Sequence, residues 1–297
     1  MPGAPIHVPV LAAEVLHWLD PQPGQVFVDG TLGGGGHTRL LAERVAESPA
    51  SKDRGFVLAL DRDPAAIAAA ERNLAGMPVQ LAQANFRDVG GVLDELQIPA
   101  VDGVLLDIGL SSDQLADARR GFSFDSAGPL DLRFNPNEGE PASQLLARLS
   151  ERELADLIYR FGEERLSRRI ARQIVESRRA RPIETAAGLA ELVRRCVPRS
   201  ADRLDPATRT FQALRIAVNR ELESLEDALR RIPDRLKRGG RLAIISFHSL
   251  EDRRVKEAFR SDERLEILTK KPIRPSADEI HRNPRSASAK LRVARRR

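Results

Sequence analysis

Cysteine is nearly absent: Cys196 is the single one in 297 residues. An intrachain disulfide framework and a zinc site built on cysteines are thereby excluded. Aromatic residues make up only 4%, with one Trp and one Tyr, so any surface that stacks on bases must come from a few phenylalanines. No apolar run approaches the roughly 18–20 residues of a membrane span. Met1–Leu11 has neither a basic n-region nor an apolar h-region. Cytoplasmic residence without a membrane partner is the expectation.

Lysine is also scarce, six of 48 basic residues. An arginine- and alanine-rich chain is what a GC-rich genome encodes, but a net charge of +5 also suits an anionic partner. From His281 to Arg297 there are seven Lys/Arg and no acid. Such a tail reads either as a phosphate-binding arm or as a solvated terminus.

What the chain does have is strand and helix in alternation. Apolar runs at Gln25–Val28, Phe56–Leu60, Val101–Leu106 and Arg241–Ser246, with a shorter one at Val79–Ala82, predict an open parallel sheet. Pro64 after Asp63 predicts a helix start, with Ile67, Ala70 and Leu74 on one face. After Ile108 the alternation breaks, and most of the next hundred residues have helical spacing. Ser150-Glu-Arg-Glu153 is a capping box before Leu154, Leu157, Ile158 and Phe161. One long helix is predicted from Thr208 through Leu229 to Ile232. The expected fold is α/β, a Rossmann-like sheet formed by residues 1–113 and 206–297, with an all-helical subdomain inserted over residues 114–205.

The first strand runs into Asp29-Gly-Thr-Leu-Gly-Gly-Gly-Gly-His37, a loop that opens into a helix. Glycines let backbone approach a ligand closely. A P-loop has this spacing from Gly30 to Gly35, but Gly36 and His37 stand where it needs Lys and Ser/Thr. A dinucleotide loop counted from Gly33 or Gly34 meets Thr38 or Arg39 in place of its third glycine. S-adenosylmethionine has no pyrophosphate and wants an acid after the second strand for its ribose hydroxyls. Asp61 stands there, 28 residues beyond Gly33, with the polar insertion Glu47–Arg54 making up the length. Asp63 reads as a helix cap. Phe86, after the short strand, either stacks on adenine or packs in the core. Asp107 leaves the sheet at the same end and faces the methyl donor.

With these segments the chain resembles the bacterial small-subunit (16S) ribosomal RNA cytosine-N4 methyltransferases. The motifs run almost end to end: His7–Leu11, Asp29–His37, Asp61–Pro64, Leu105–Ser112, Arg120–Phe124, Gly128–Arg133, Gly162–Arg165, Arg168–Ala171, Thr208–Ala213, Ile245–Arg253 and Asn283–Arg285. Met1–Pro5 and Ser48–Ser51 lie outside them and read as variable surface. The resemblance implies a class I methyltransferase sheet with an inserted helical domain. It implies S-adenosylmethionine as cofactor, and 16S rRNA within the small ribosomal subunit as partner. It puts cofactor contacts on Gly35, Gly36, His37, Asp61, Phe86, Asp107 and Gln114; Gly34 joins them from the loop chemistry.

Methyl transfer to a cytosine N4 is an in-line displacement that needs no metal and no covalent intermediate. It needs positioning and an acceptor for an N–H, and Asp107 is the candidate for that catalytic role. Methylation at a ring carbon would need a thiolate, and Cys196 lies on an apolar helix face. Candidates for holding a splayed base are Phe122, Phe124, Phe134 and Phe247, each of which can instead pack the interior. His248 either meets substrate or caps a helix beginning near Glu251. Arg133, Arg165, Arg168, Arg169 and the basic tail are candidate phosphate contacts. Two rivals stay open: a methyltransferase for another substrate, such as a tRNA base, and an RNA-binding ribosome-assembly factor without catalysis. A homodimer is also left open.

Overall fold

The structure is a computed structural model that describes residues 9–46, 55–198 and 205–297. His7, Val8 and the insertion Glu47–Arg54 lie outside the described residues. The chain divides into two compact units, residues 1–110 with 222–297, and residues 111–221.

The first unit is built on a sheet. In chain order it contains α1 (Ala12–Leu19), β1 (Val26–Asp29), α2 (Gly36–Val45), β2 (Phe56–Asp61), α3 (Pro64–Asn73), β3 (Val79–Gln83), α4 (Val89–Glu95) and β4 (Val101–Asp107). The helical unit supplies α5 (Ser112–Ala116), α6 (Ala142–Arg148), α7 (Glu151–Gly162), α8 (Ser167–Ala180), α9 (Ala186–Cys196) and α10 (Thr208–Asn219). The sheet unit resumes with α11 (Glu221–Arg231), β5 (Leu236–Ser246), α12 (Ser249–Ser261), β6 (Leu265–Ile267), α13 (Ala277–Arg282) and β7 (Lys290–Arg296).

The seven strands lie in the order β3-β2-β1-β4-β5-β7-β6. The first five are parallel, with Val28 opposite both Leu58 and Val104, and Leu105 opposite Ala243. β7 enters antiparallel between β5 and β6. Strand order reverses direction between β1 and β4, and in open α/β sheets that switch point opens a crevice at the strands' carboxyl ends. Asp29, Asp61 and Asp107 are the last residues of β1, β2 and β4.

Consecutive strand residues point to opposite faces, so two cores form. Val28, Leu58, Leu60, Val104 and Leu106 pack with Val89, Leu93, Leu225, Leu229, Val255 and Phe259. Phe27, Val57, Leu105 and Ala243 pack on the other face with Val15, Leu19, Leu41 and Val45. Gly103 is forced by one of these contacts. A Cβ there would stand 2.3 Å from Cε1 of Phe27, a fully buried ring in the adjacent strand.

Local signals are obeyed where they are strong. Asp63 caps α3 by accepting the Ala65 N–H (3.0 Å), and Ser150 and Glu153 close their capping box on α7. In the helical unit α7 packs against α8 and α10. Gly162 makes the second contact close, since a Cβ there would lie 2.4 Å from the Arg209 carbonyl.

Two expectations need correction. The long helix from Thr208 is broken: Arg220 is left-handed (φ 51°) between α10 and α11. The Asn219 side chain holds the break by donating to the Leu132 and Arg215 carbonyls (2.7 and 2.9 Å) while accepting the Phe134 N–H (2.7 Å). Beyond α11, Ile232–Arg235 is a 3-10 turn containing Pro233. The basic tail is neither an arm nor a solvated terminus. Leu291, Val293 and Ala294 are buried in β7, and its cations are largely spent on Asp252, Glu266 and Asp234.

Gly103→Ala is expected to destabilise the protein by about 1–3 kcal/mol, the usual cost of overpacking a well-filled core. Denaturant unfolding checks it: an unchanged midpoint would mean that the Phe27 ring can move aside.

Candidate active site at the carboxyl ends of the parallel strands

Asp29 ends β1 with no solvent exposure. It accepts from Thr38 Oγ1 (2.7 Å) and from the Thr31 N–H (3.1 Å), so one carboxylate ties both ends of the glycine loop. The loop also hydrogen-bonds across strand ends, Gly30 N–H to Leu105 O (2.9 Å) and Leu32 N–H to Leu60 O (2.8 Å). Gly30 has no room for a side chain, since a Cβ would meet Leu106 Cδ2 at 2.5 Å. Gly33 and Gly35 have positive φ (48° and 78°), and Gly35 is the N-cap of α2, with Gly36 and His37 in its first turn. Gly34 lies between them, in the turn.

Asp61 accepts the Gly33 N–H and the Asp63 N–H, both at 2.9 Å. Burial pushes its pKa up to about 6, against those two donors and helped by the charges of Asp63 and Asp29. It therefore stays ionised at neutral pH and holds the loop in register.

Asp107 is held through its backbone, whose N–H donates to Thr31 Oγ1 (2.6 Å). Its Oδ2 lies 3.6 Å from His37 Nε2. Its Oδ1 is buried without a hydrogen-bond partner among the described residues. Burial first, then the charges of Asp29 and Glu251, push its pKa up to about 8. A buried carboxyl oxygen left unmatched is costly, and a cationic ligand or an N–H donor would satisfy it.

Phe86 opens a 3-10 turn, Phe86–Asp88, capped by Asn85, which accepts the Arg87 N–H (3.1 Å). Asn85 Nδ2 in turn donates to Ser224 Oγ (3.1 Å). The Phe86 ring is partly buried against the core, and its Cβ stands 3.0 Å from where a Gly30 Cβ would lie. After β5, Phe247 packs against the second core and along Gly109. His248 is the N-cap of α12, which begins at Ser249. Buried Glu251 reaches back to accept the Phe247 and His248 N–H groups (2.9 and 3.3 Å), and its Oε1 lies 3.0 Å from His248 Nε2. Capping is thus the role that the contacts give His248.

The sheet unit thus gathers Asp29, Asp61, Asp107, His37 and the glycine loop. Gln114, Phe122, Phe124 and Arg133 belong to the helical unit. There the Gln114 side chain accepts the Ser111 N–H (3.1 Å) in a capping box. Phe122 is buried, stacked on Phe134 (5.8 Å between centroids), with the Arg120 guanidinium over its ring. Phe124 meets Phe211 edge-on at 4.9 Å. Arg133 grips Asp131 through two hydrogen bonds (2.8 and 2.7 Å), so a phosphate would have to compete with a carboxylate for it. Arg165, Arg168 and Arg169 are exposed. Sequence reasoning missed the anchoring by Thr31 and Thr38 and the charge of Glu251. Only the hydroxyls beside the loop, and an acid three residues after His248, hint at them.

Two strand-end carboxylates beside a lysine-free glycine loop repel a polyphosphate and suit a ligand that bears cations and a ribose diol. With the 3-2-1-4-5-7-6 sheet, this defines a class I S-adenosylmethionine-dependent methyltransferase. The profile of the MraW methylase family matches residues 4–297, and the chain belongs to that family. It is 52% identical to the Ribosomal RNA small subunit methyltransferase H of Rhodopirellula baltica, over 98% of this chain and 91% of that one. Proteins of the same name in Cyanothece sp. and Deinococcus deserti are each 50% identical, over 98% of this chain and 95% and 93% of theirs. Among solved structures, a putative rRNA-methylase from Clostridium thermocellum superposes with a TM-score of 0.49 at 13% identity, covering 98% of this chain and 99% of that one.

The raised pKa of Asp107 has a sign that can be checked. Between the ordinary value of 3.8 and about 8 the folded protein binds a proton that the unfolded chain has released. This group therefore lowers stability as pH rises through that window. Asp107→Asn removes the effect, so its gain in melting temperature over wild type should widen from pH 5 to pH 8. Cationic cofactor should also expel that proton. Titration calorimetry at pH 7 in buffers of different ionisation enthalpy should show net proton release for wild type, and none for Asp107→Asn.

Proposed function

We propose that the protein transfers the methyl group of S-adenosylmethionine to the exocyclic N4 of a cytosine in the decoding centre of 16S rRNA, within the small ribosomal subunit. The names of the relatives support the ribosomal substrate. The observation that carries the chemistry is the buried, unmatched Oδ1 of Asp107 beside His37 at the switch point of the sheet.

The cofactor supplies an electrophilic methyl group on a sulfonium. Asp61 would take the ribose hydroxyls and the backbone of Gly34, Gly35 and Gly36 would hold the methionine moiety, with His37, Phe86 and Gln114 as the other candidate contacts. Asp107 in its ionised form accepts an amine N–H at Oδ1, which turns the nitrogen lone pair toward the methyl axis, and then holds the displaced proton. His37 Nε2 lies 3.6 Å from the other carboxyl oxygen, Oδ2. The inserted segment, residues 114–205, recognises the substrate, with Phe122, Phe124 and Arg133 as its candidate contacts; Phe247 and His248, which follow β5 in the sheet unit, are further candidates. Methylation at a ring carbon is disfavoured, because the single thiol, Cys196, is buried on α9 and burial pushes its pKa up. No described helix is long and apolar enough to cross a membrane; the cytoplasm, where ribosomes assemble, is the proposed location.

Incubation with labelled cofactor and either purified small subunits or free rRNA, followed by mass mapping of nucleosides, tests the reading. An N4-methylated cytidine in the small-subunit RNA is expected. Another modified base, another RNA, or no transfer at all would overturn the assignment. Asp61→Ala should weaken cofactor binding about 10- to 100-fold, the loss expected for a charged hydrogen-bond partner, as read by calorimetry.

A further inference from the structure

Most cations near the β6–β7 edge of the sheet unit are paired. Arg254 meets Glu226, Arg264 meets Asp262 and Arg295 meets Glu266. A group of three is not. Lys256, Arg260 and Lys270 surround a cavity of about 330 Å³ between α12 and the sheet edge. All three are exposed, and none forms an ion pair among the described residues.

The fold gathers them deliberately enough to trace. Lys256 and Arg260 stand four apart on α12, so one helix face presents both. Phe259, beside them, is 3% exposed and anchors that face to the core. Lys270 follows Thr269, whose buried hydroxyl accepts the Val293 N–H (2.8 Å) and fixes the segment after β6 against β7. A fourth cation, Arg292, also lines the cavity from β7. Its Nε donates to Asp252 (2.6 Å), and Lys290 lies 3.5 Å from the same carboxylate. Lys290 is opposite Ser246, the last residue of β5. A chain of polar groups thus runs from the cavity to the carboxyl edge of the sheet.

Three uncompensated cations facing one concavity repel each other and stabilise nothing in the free protein, whereas an anion there would relieve them. The lining suits a backbone rather than a base. Its one aromatic ring is buried and offers no stacking face, and no acid in the lining is placed to read a base edge. We infer that this cavity binds the phosphodiester backbone of the RNA substrate, outside the methyl-transfer site and along α12. The inference rests on the RNA substrate proposed above, but not on which base is methylated.

The test is the triple variant K256A/R260A/K270A, binding a fluorescent fragment of small-subunit rRNA at several salt concentrations. Three exposed side chains are removed, so the fold is preserved, and calorimetry with S-adenosylmethionine verifies an intact cofactor site. RNA affinity should fall at least about tenfold at physiological salt. The slope of log affinity against log salt should fall by about 2, near 0.7 for each lost phosphate contact on single-stranded RNA. KM for RNA should rise while kcat at saturating RNA holds. A control triple on other exposed surfaces, R44A/R72A/R231A, should change the slope far less. Equal losses in the two triples would reduce the effect to net charge and overturn the inference. So would unchanged RNA binding, or binding of adenosine monophosphate that the triple abolishes while RNA affinity stays intact. If wild type binds no rRNA at all, the substrate reading itself fails, and the cavity inference with it.

Discussion

A carboxylate sealed from solvent organises this molecule. Asp29 takes the Thr31 N–H and the Thr38 hydroxyl, and so pins both ends of a loop that glycine alone would leave loose. Thr31 passes the constraint on, because its hydroxyl receives the Asp107 backbone N–H from the neighbouring strand. The charge of Asp29 reaches further still, contributing to the raised pKa of both Asp61 and Asp107. One buried group therefore bears on loop geometry and strand-end position, and adds to the effect of burial on two neighbouring acids. Isolated buried carboxylates are expensive; this one is retained with hydrogen bonds that soften the cost without removing it.

The parallel strands β1, β2 and β4 were legible in the chain because they are apolar runs largely buried on both faces; β3 is shorter and only partly buried. Each of β1 to β4 was expected within a residue or two of where it lies. β7 was not legible. Its sequence, Lys290-Leu-Arg-Val-Ala-Arg-Arg296, carries four cations in seven positions, and the acids that pair with them, Asp252, Glu266 and Asp234, are distant in sequence. The break at Arg220 was hidden for a similar reason. Helical spacing continues through it, while the left-handed turn is held by Asn219 reaching residues some 85 positions away.

At the site, the acids at strand ends and the glycine loop could be read from chemistry, since residue type and spacing excluded a P-loop and disfavoured a dinucleotide. What could not be read was how those acids interact. Glu251 looked like one residue of a helix start, yet it closes the N-terminus of α12 and adds to the field at Asp107. Aromatic side chains proved the least informative. Phe122 and Phe124 are occupied with Phe134 and Phe211 inside the helical unit, the ordinary fate of a phenylalanine.

The antiparallel strand near the end of the chain has a consequence for biogenesis. β7 sits sixth of seven strands, and β6 has no other neighbour in the sheet. Residues 290–296 must therefore insert between elements made earlier before either β5 or β6 is fully paired. Until residues 290–296 are in place the sheet carries an open edge along β5, and β6 has no strand to pair with. Exposed strand edges of this kind make a partly folded chain prone to aggregate.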